Sequence, residues 1–422
     1  MPNEEETMTR RVAITGMGTI CALGHNLNDV WNGLVEGRSG ISQVENYDID
    51  KLAIKIAGEV KDFEISADLL EPKEAPRYDR FIHFGLHATE EAIKNSGIDL
   101  KSYDPYKVGA ILGVGMGGFP ITEQTGRTFV EKGPRRISPF FIPGIIPNMA
   151  TGLLSIKYGF MGVNYTVASA CASSCHAIST AVEEIRAGRH DVMITGGTEA
   201  VVCNLAMGGF INMKAFSKRT DEPQKASRPF DTDRDGFVMG EGAGIIILED
   251  LESAKKRGAT IYAEIVGHGA SSDAHHITAP HPEGAGAFGC MKKAIEDAGI
   301  TPDQIGYVNA HGTSTPLGDK AETKAIKMVL GEDHAKTINV SSTKSMVGHL
   351  LGAAGGVETV FTAMALHTGV IPPTINLDNQ DPECDLDYTA NKAVEKQVDY
   401  ALNNSFGFGS TNSSLVLKRY TE

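Results

Sequence analysis

Short apolar runs alternate with longer amphipathic stretches along this chain, which is the pattern of strands followed by covering helices. Apolar runs at 11–16, 108–113, 245–248, 261–267, 305–308 and 338–342 predict strands. The segment Ala-Ile-Lys-Asn-Ser-Gly-Ile at 92–98 recurs as Ala-Ile-Glu-Asp-Ala-Gly-Ile at 294–300. Each copy reads as the end of an amphipathic helix stopped by glycine, and each is followed by a polar turn and a strand. The run before Cys171 and the helix after it align in the same way with 338–342 and a predicted helix at 352–366. The pattern therefore predicts two repeated α/β halves with parallel sheets covered by helices. The boundary falls near 250–258, giving halves of 10–257 and 258–422 behind a disordered leader at 1–9. Loop-rich insertions are expected at 116–150 and 203–240.

Composition narrows the class. The 422 residues are 41% hydrophobic and 22% charged, a globular balance, and a net charge of −14 disfavours nucleic acid. No apolar run reaches the roughly 18 residues of a membrane span. The acidic start, Met1 to Thr7, is unlike a signal or transit peptide, so a cytoplasmic setting is expected. Six cysteines in this length do not form a disulfide framework, and Cys171 and Cys175 lack the second cluster of a zinc site. The 47 glycines are dispersed, which reads as tight turns and close packing.

Candidate chemistry centres on Cys171, within Val-Ala-Ser-Ala-Cys-Ala-Ser-Ser-Cys-His at 167–176. That run of small residues reads as a strand breaking into a helix. A thiol at a helix N-terminus has its thiolate stabilised by the dipole and free N–H groups. Cys175 lies one turn on and reads as packing. His311 stands in Asn-Ala-His-Gly-Thr-Ser-Thr-Pro at 309–316, and His349 in Thr-Lys-Ser-Met-Val-Gly-His-Leu-Leu-Gly at 343–352. Both follow strand-like runs, where α/β folds place their chemistry. The segment Asn-Asn-Ser-Phe-Gly-Phe-Gly-Ser at 403–410 supplies a further glycine-flanked turn.

Together with Phe-Asp-Thr-Asp-Arg-Asp-Gly-Phe at 230–237, Gly-Glu-Gly-Ala-Gly at 240–244 and Ser-Ser-Asp-Ala-His-His-Ile-Thr at 271–278, these segments resemble the β-ketoacyl-ACP synthases. The resemblance is to the type II branch of these decarboxylating condensing enzymes and runs from about residue 11 to 418. It implies a thiolase-like fold: two sheets with helices between and outside, in a layered αβαβα arrangement. It also implies an acyltransferase in which Cys171 carries the acyl group and His311 and His349 stabilise the enolate from malonyl thioester. Lys344 and Glu358 correspond to supporting residues, and the N–H groups of Phe408 and Cys171 to an oxyanion hole.

Thr313 and Thr315 correspond to contacts of a phosphopantetheine arm, with Phe406, His276 and Thr278 also on the substrate side. Met116 would face the acyl tail, closed by Phe140 and Phe141 of a neighbouring subunit in a homodimer. Phe408 would gate the opposite end. Lys73, Arg77, Arg135, Arg136 and Lys214 fall where relatives present a basic rim to an acidic acyl carrier protein. No cofactor is required beyond the carrier's own phosphopantetheine. Asn309, Glu358 and Asn404 are candidates for a structural sodium or potassium ion. Two departures stand out: Ser174 and Ser410 each replace a glycine usual in the family. A type II polyketide ketosynthase shares these motifs. A thiolase would pair its nucleophile with a second cysteine instead, and a non-catalytic chain-length partner would lack Cys171.

Overall fold

The computed structural model describes residues 10–421; the expected leader at 1–9 lies outside them. The first half contributes strands β1 (Val12–Ile20), β2 (Val108–Gly113), β3 (Asn164–Val167), β4 (Val192–Glu199) and β5 (Gly242–Asp250). The second contributes β6 (Ala263–Ser272), β7 (Ile305–Asn309), β8 (Asn339–Ser341), β9 (Tyr400–Gly407) and β10 (Thr411–Lys418). Across the sheet the order is β8-β7-β9-β10-β6-β1-β5-β4-β2-β3. Read outward from the centre, each half runs first, fifth, fourth, second, third, so the repeat seen in sequence is a repeat of topology.

Two expectations need correction. The ladders are mixed: β2 pairs in parallel with β3 and β4, and β7 with β8 and β9, but β5 and β10 run antiparallel to both their neighbours. The tight turn between β9 and β10 forces that reversal. The expected pair of sheets is also one continuous ten-stranded sheet. Its halves join only where Val12–Ile14 pairs with Ala263–Ile265. Each of those strands would otherwise be an open edge with unsatisfied backbone groups, and pairing satisfies both. An ion pair of 2.6 Å between Arg11 and Glu264 flanks the seam.

The layers are formed by helices α1 (Arg80–Ser96), α2 (Phe119–Lys132), α3 (Ser173–Arg186), α4 (Asn204–Asn212), α5 (Ala285–Asp297), α6 (Pro316–Leu330) and α7 (Ala354–Thr368). Helices α3 and α7 pack on each other and on strands of both halves, forming the middle layer. Helix α1 covers β1 and β5 on one outside, and α5 covers β6 and β10 on the other. The duplication extends to glycines. Side chains at Gly16 and Gly18 would collide with α1 carbonyls, and side chains at Gly267 and Gly269 with α5 carbonyls. The insertion at 116–150 is largely helical, holding α2 and a short helix at Phe141–Ile145, whereas that at 203–240 holds α4 and is otherwise mostly loop, as expected. At the expected boundary β5 runs straight into a helix, Leu251–Lys256, capped by Asp250. Among the described residues no helix is long and apolar enough to cross a membrane.

Candidate active site

Cys171 sits in the sharp turn between β3 and α3. The turn is reached through Ala170 at a φ of 50°, a left-handed conformation costing on the order of 1 kcal/mol for a residue with a side chain. Ser173 holds it: its hydroxyl donates to the Ala170 carbonyl (2.6 Å) and accepts from the Ser169 N–H (2.9 Å). The strain places the thiol at the floor of a cavity. One consequence differs from the helix-dipole expectation. Burial pushes the Cys171 thiol up to about 12, against the opposing effects of Lys344 and the N–H groups of Phe408 and Cys171 itself. The resting group is a thiol, because removing water from a thiolate costs more than one helix end returns. Those same two N–H groups lie beside the sulfur, within reach of the carbonyl oxygen of an acyl group carried there.

The second half brings both histidines to that thiol. His349 Nε2 lies 3.0 Å from Cys171 Sγ. The rings of His349 and His311 meet edge to face with centroids 5.3 Å apart. Both imidazoles are held well below their usual range by burial and by Lys344, with His349 adding to the effect on His311. They are therefore neutral at neutral pH. Lys344 is buried and bonded to Glu358, so neither is a surface group. Phe237 packs edge-on against His349 at 5.5 Å, and Phe406 lies 5.4 Å from His311.

These groups line a cavity of about 680 Å³ that also meets Met116, Phe406, Phe408, Thr313, Thr315, His276, Thr278 and Lys214. The Thr313 and Thr315 hydroxyls are 3.1 Å apart on its wall. His276 is exposed, and its Nδ1 accepts from the Thr278 N–H at 3.1 Å, so it shapes its own turn. The Phe408 ring lies 6.3 Å from Phe210. Beyond Met116 a second cavity of about 320 Å³ is bounded by Phe119, Thr122, Ile142, Ile145, Ile146 and Pro147, among others. Met116 thus stands between the two spaces. Phe140 and Phe141 line neither within their own chain; Phe140 carries the Arg77 guanidinium over its ring at 4.2 Å.

The expected basic rim is uneven. Lys73 is paired with Glu71 at 2.7 Å and Arg77 with Glu74 at 3.3 Å. Arg135, Arg136 and Lys214 are exposed. At the candidate cation position, both side-chain polar atoms of Asn309 and Glu358 Oε2 are buried without hydrogen-bond partners. Amide and carboxylate oxygens suit a hard cation. Asn404 is already engaged: its amide nitrogen donates to Glu322 at 3.1 Å and its carbonyl accepts from Ser414 at 2.8 Å. The donor set therefore fits through Asn309 and Glu358 and less well through Asn404.

Sequence reasoning missed the carboxylates that build the loops. Glu322 accepts the backbone N–H groups of His311 (2.8 Å) and Gly312 (2.7 Å). Asp319, one turn earlier on α6, accepts from Phe230 at 2.9 Å and Ser314 at 3.2 Å, and pairs with Arg234 at 3.3 Å. The signal was available: Asp319 and Glu322 share helical spacing with the apolar Ala325 and Ile326. Glu199 accepts four backbone N–H groups and is equally buried.

Comparison with known proteins agrees with this geometry. Residues 9–254 match the family model for the beta-ketoacyl synthase N-terminal domain, and residues 262–378 that for the C-terminal domain. The chain is 49% identical to 3-oxoacyl-[acyl-carrier-protein] synthase 2 of Synechocystis sp., covering 97% of this chain and 98% of that protein. It is 48% identical to the protein of the same name from Coxiella burnetii, covering 97% and 99%. Among solved structures, a beta-ketoacyl synthase from Burkholderia phymatum superposes with a TM-score of 0.90 at 35% identity, covering 98% of this chain and all (100%) of that one. A ketosynthase complexed with its type II PKS acyl-carrier protein superposes with a TM-score of 0.90 at 32% identity, covering 98% and 100%. The chain belongs to the beta-ketoacyl synthase family.

Proposed function

We infer that this chain is a 3-oxoacyl-[acyl-carrier-protein] synthase of type 2, which extends acyl chains by decarboxylating condensation with malonyl-ACP. The observation that carries the reading is the neutral His349 imidazole 3.0 Å from the Cys171 thiol, with His311 set at right angles beside it. In the first step Cys171 Sγ attacks the acyl thioester carbonyl. The thiol proton passes to the departing phosphopantetheine sulfur as the bond forms, while the His349 Nε2–H stays in place as a donor. This path suits a thiol whose free ionisation is suppressed, because the proton moves as the bond forms.

In the second step the malonyl carboxylate leaves as CO₂, and its bonding electrons pass into an enolate. The enolate oxygen receives hydrogen bonds from His311 and His349, which are neutral and so hold a proton to donate without a competing charge. The enolate carbon attacks the acyl-Cys171 carbonyl. That attack forms the new C–C bond, and the N–H groups of Cys171 and Phe408 receive the resulting tetrahedral oxyanion. Its collapse re-forms the carbonyl and breaks the C–S bond, releasing the Cys171 sulfur as a thiolate that takes up a proton.

The Thr313 and Thr315 hydroxyls face the path a pantetheine amide would take. Carrier docking at the exposed Arg135, Arg136 and Lys214 would set a local basic patch against the net charge of −14. Phe140 and Phe141, which line neither cavity of their own chain, suit a role at the tail pocket of a neighbouring subunit in a homodimer. Asn309 and Glu358 would hold a monovalent cation, which would supply fixed positive charge beneath the site. Six unpaired cysteines fit a reducing, cytoplasmic setting.

A type II polyketide ketosynthase is the second reading, favoured by the solved structure with its PKS carrier at 32% identity. The higher identity to the type 2 synthases, 49% in one case, favours fatty-acid extension. Incubation with acyl-ACPs of graded length plus malonyl-ACP, with products identified by mass, decides between them. Single two-carbon extensions across several primer lengths support the first reading, and iterated unreduced polyketones overturn it.

A further inference from the structure

Glu199, at the end of β4, bridges two parts of the site that come from opposite halves. Its carboxylate accepts from the N–H groups of Gly115 (2.9 Å), Met116 (3.2 Å) and Gly117 (3.2 Å), the run that walls off the far cavity. It also accepts from the N–H of Gly352 at 3.2 Å, three residues after His349. Gly352 is tied on its other side as well, where the Ser174 hydroxyl donates to the Gly352 carbonyl. Here Ser174, a departure from the glycine usual at this position, has a definite partner.

The two loops touch backbone to backbone. A Cβ at Gly352 would collide with the Gly115 amide, and one at Gly115 would stand 3.3 Å from Gly352 Cα and 2.6 Å from Glu199 Oε2. Between His349 and Gly352 the chain passes through Leu351 at a φ of 50°, a conformation that persists only where its surroundings hold it. The His349 backbone is held separately, donating to Val238 at 2.7 Å and accepting from Gly240 at 2.9 Å. The strained turn is thus fixed at both ends, with Glu199 and Ser174 as the far anchor.

We propose that Glu199 is a positioning residue that locks the His349 turn to the Met116 wall, with Ser174 gripping the other side of the same residue, Gly352. The proposal rests on the condensing activity inferred above. A carboxylate suits this task because both its oxygens accept only, and four inward N–H groups need acceptors. Glutamine at 199 would turn an NH₂ toward at least one of those donors. The lock makes the wall and the histidine one rigid body, so loosening it should disturb both chain-length selection and enolate stabilisation.

The test is a cycle of Glu199→Gln, Ser174→Ala and the double variant in the full-length protein. Two assays are read for each: kcat and KM for malonyl-ACP decarboxylation, and the longest acyl-ACP accepted. Wild-type protein must first condense acyl- with malonyl-ACP; failure there overturns the functional reading and leaves the lock to be judged by other means, namely the melting temperatures of the same set. With wild type active, Glu199→Gln should lower decarboxylation kcat about tenfold with KM little changed, the loss expected for about one well-placed hydrogen bond. Its chain-length cutoff should broaden. Ser174→Ala should do the same more weakly, and the double variant should lose less than the product of the two, because both hold the one residue Gly352. If Glu199→Gln is too unstable to assay, the kcat of Ser174→Ala decides alone. Unchanged kcat and cutoff in folded variants, or strictly multiplicative losses, would overturn the proposal.

Discussion

The two halves of this molecule repeat one topology, yet they divide the work unequally. The turn after the third strand of the first half carries Cys171; its counterpart after β8 leads into Lys344 and His349. The turn after the second strand carries Met116 in the first half and His311 in the second. In the proposed mechanism the first half thus supplies the covalent anchor and the tail wall, and the second supplies the two imidazoles. The middle helices differ in the same sense. Helix α3 exposes part of its polar face, whereas α7 is buried from Ala354 to Leu366. Helix α7 also carries Glu358, the partner of Lys344, into that dry layer. The two halves offer equivalent turn positions with different residue types in them, and under the proposed mechanism that separates acyl capture from carbanion formation.

That division can be broken at each side. The largest effect is expected from Cys171→Ala, which should abolish condensation. Mass mapping of wild type after incubation with acyl-ACP should find the acyl group on Cys171. Cys175 is fully buried with its sulfur donating to Ser405, so acylation there would contradict the assignment. Next in size, His311→Ala or His349→Ala should slow malonyl decarboxylation by about 10²–10³, the usual worth of an oxyanion donor, while some Cys171 acylation survives. CO₂ release and intact-protein mass measure the two steps independently.

Met116→Phe acts on the first half alone. The added ring would block passage from the larger cavity to the smaller, so long primers should be lost and short ones kept. Each excluded methylene forfeits about 0.8 kcal/mol, which makes the cutoff steep. Product lengths by mass check this, and an unchanged profile in folded protein would place the tail elsewhere.

The second half should also set the acid limb of activity. Both imidazoles have folded values depressed below 6.5, so they remain neutral as pH falls past the point where free imidazole charges. Decarboxylation kcat should therefore stay flat from pH 8 down to about 6, judged against the free imidazole value of about 6.5. The same depression makes folding less stable progressively as pH falls below about 6.5 toward the lower folded values, because the unfolded imidazoles take up protons there and the folded ones do not. A limb centred at or above 6.5 would contradict the dry, Lys344-flanked setting. The smallest effect concerns docking. Lys214→Glu and added salt should each weaken the apparent affinity for acyl-ACP by a few-fold while sparing a small acyl thioester. Equal loss with both substrates would indicate misfolding.

Much of this was legible in the chain because it is local. The strand at 108–113 and the glycine stops at 97 and 299 depend on residues within one turn of each other. The run around Cys171 and the two histidine segments stand out for the same reason. The seam between β1 and β6 was not legible, since it pairs strands some 250 residues apart over three positions. The protonated state of Cys171 was misjudged, because desolvation depends on the whole fold and not on the adjacent helix. Glu199 and Glu322 escaped for a related reason. The partners of Glu199 are backbone amides 82 to 153 positions away, which leave no side-chain signature, and the helical spacing that marks Glu322 does not say which loop it holds.

The central claim is that acyl capture and enolate formation reside in separate halves. The most direct test is CO₂ release from malonyl-ACP by Cys171→Ala, set beside the same assay on His311→Ala. Decarboxylation should continue in the protein without its thiol and fall by about 10²–10³ in the protein without its imidazole. Equal collapse in both, with folding intact, would mean that the thiol takes part in making the carbanion, and the division drawn here would fail.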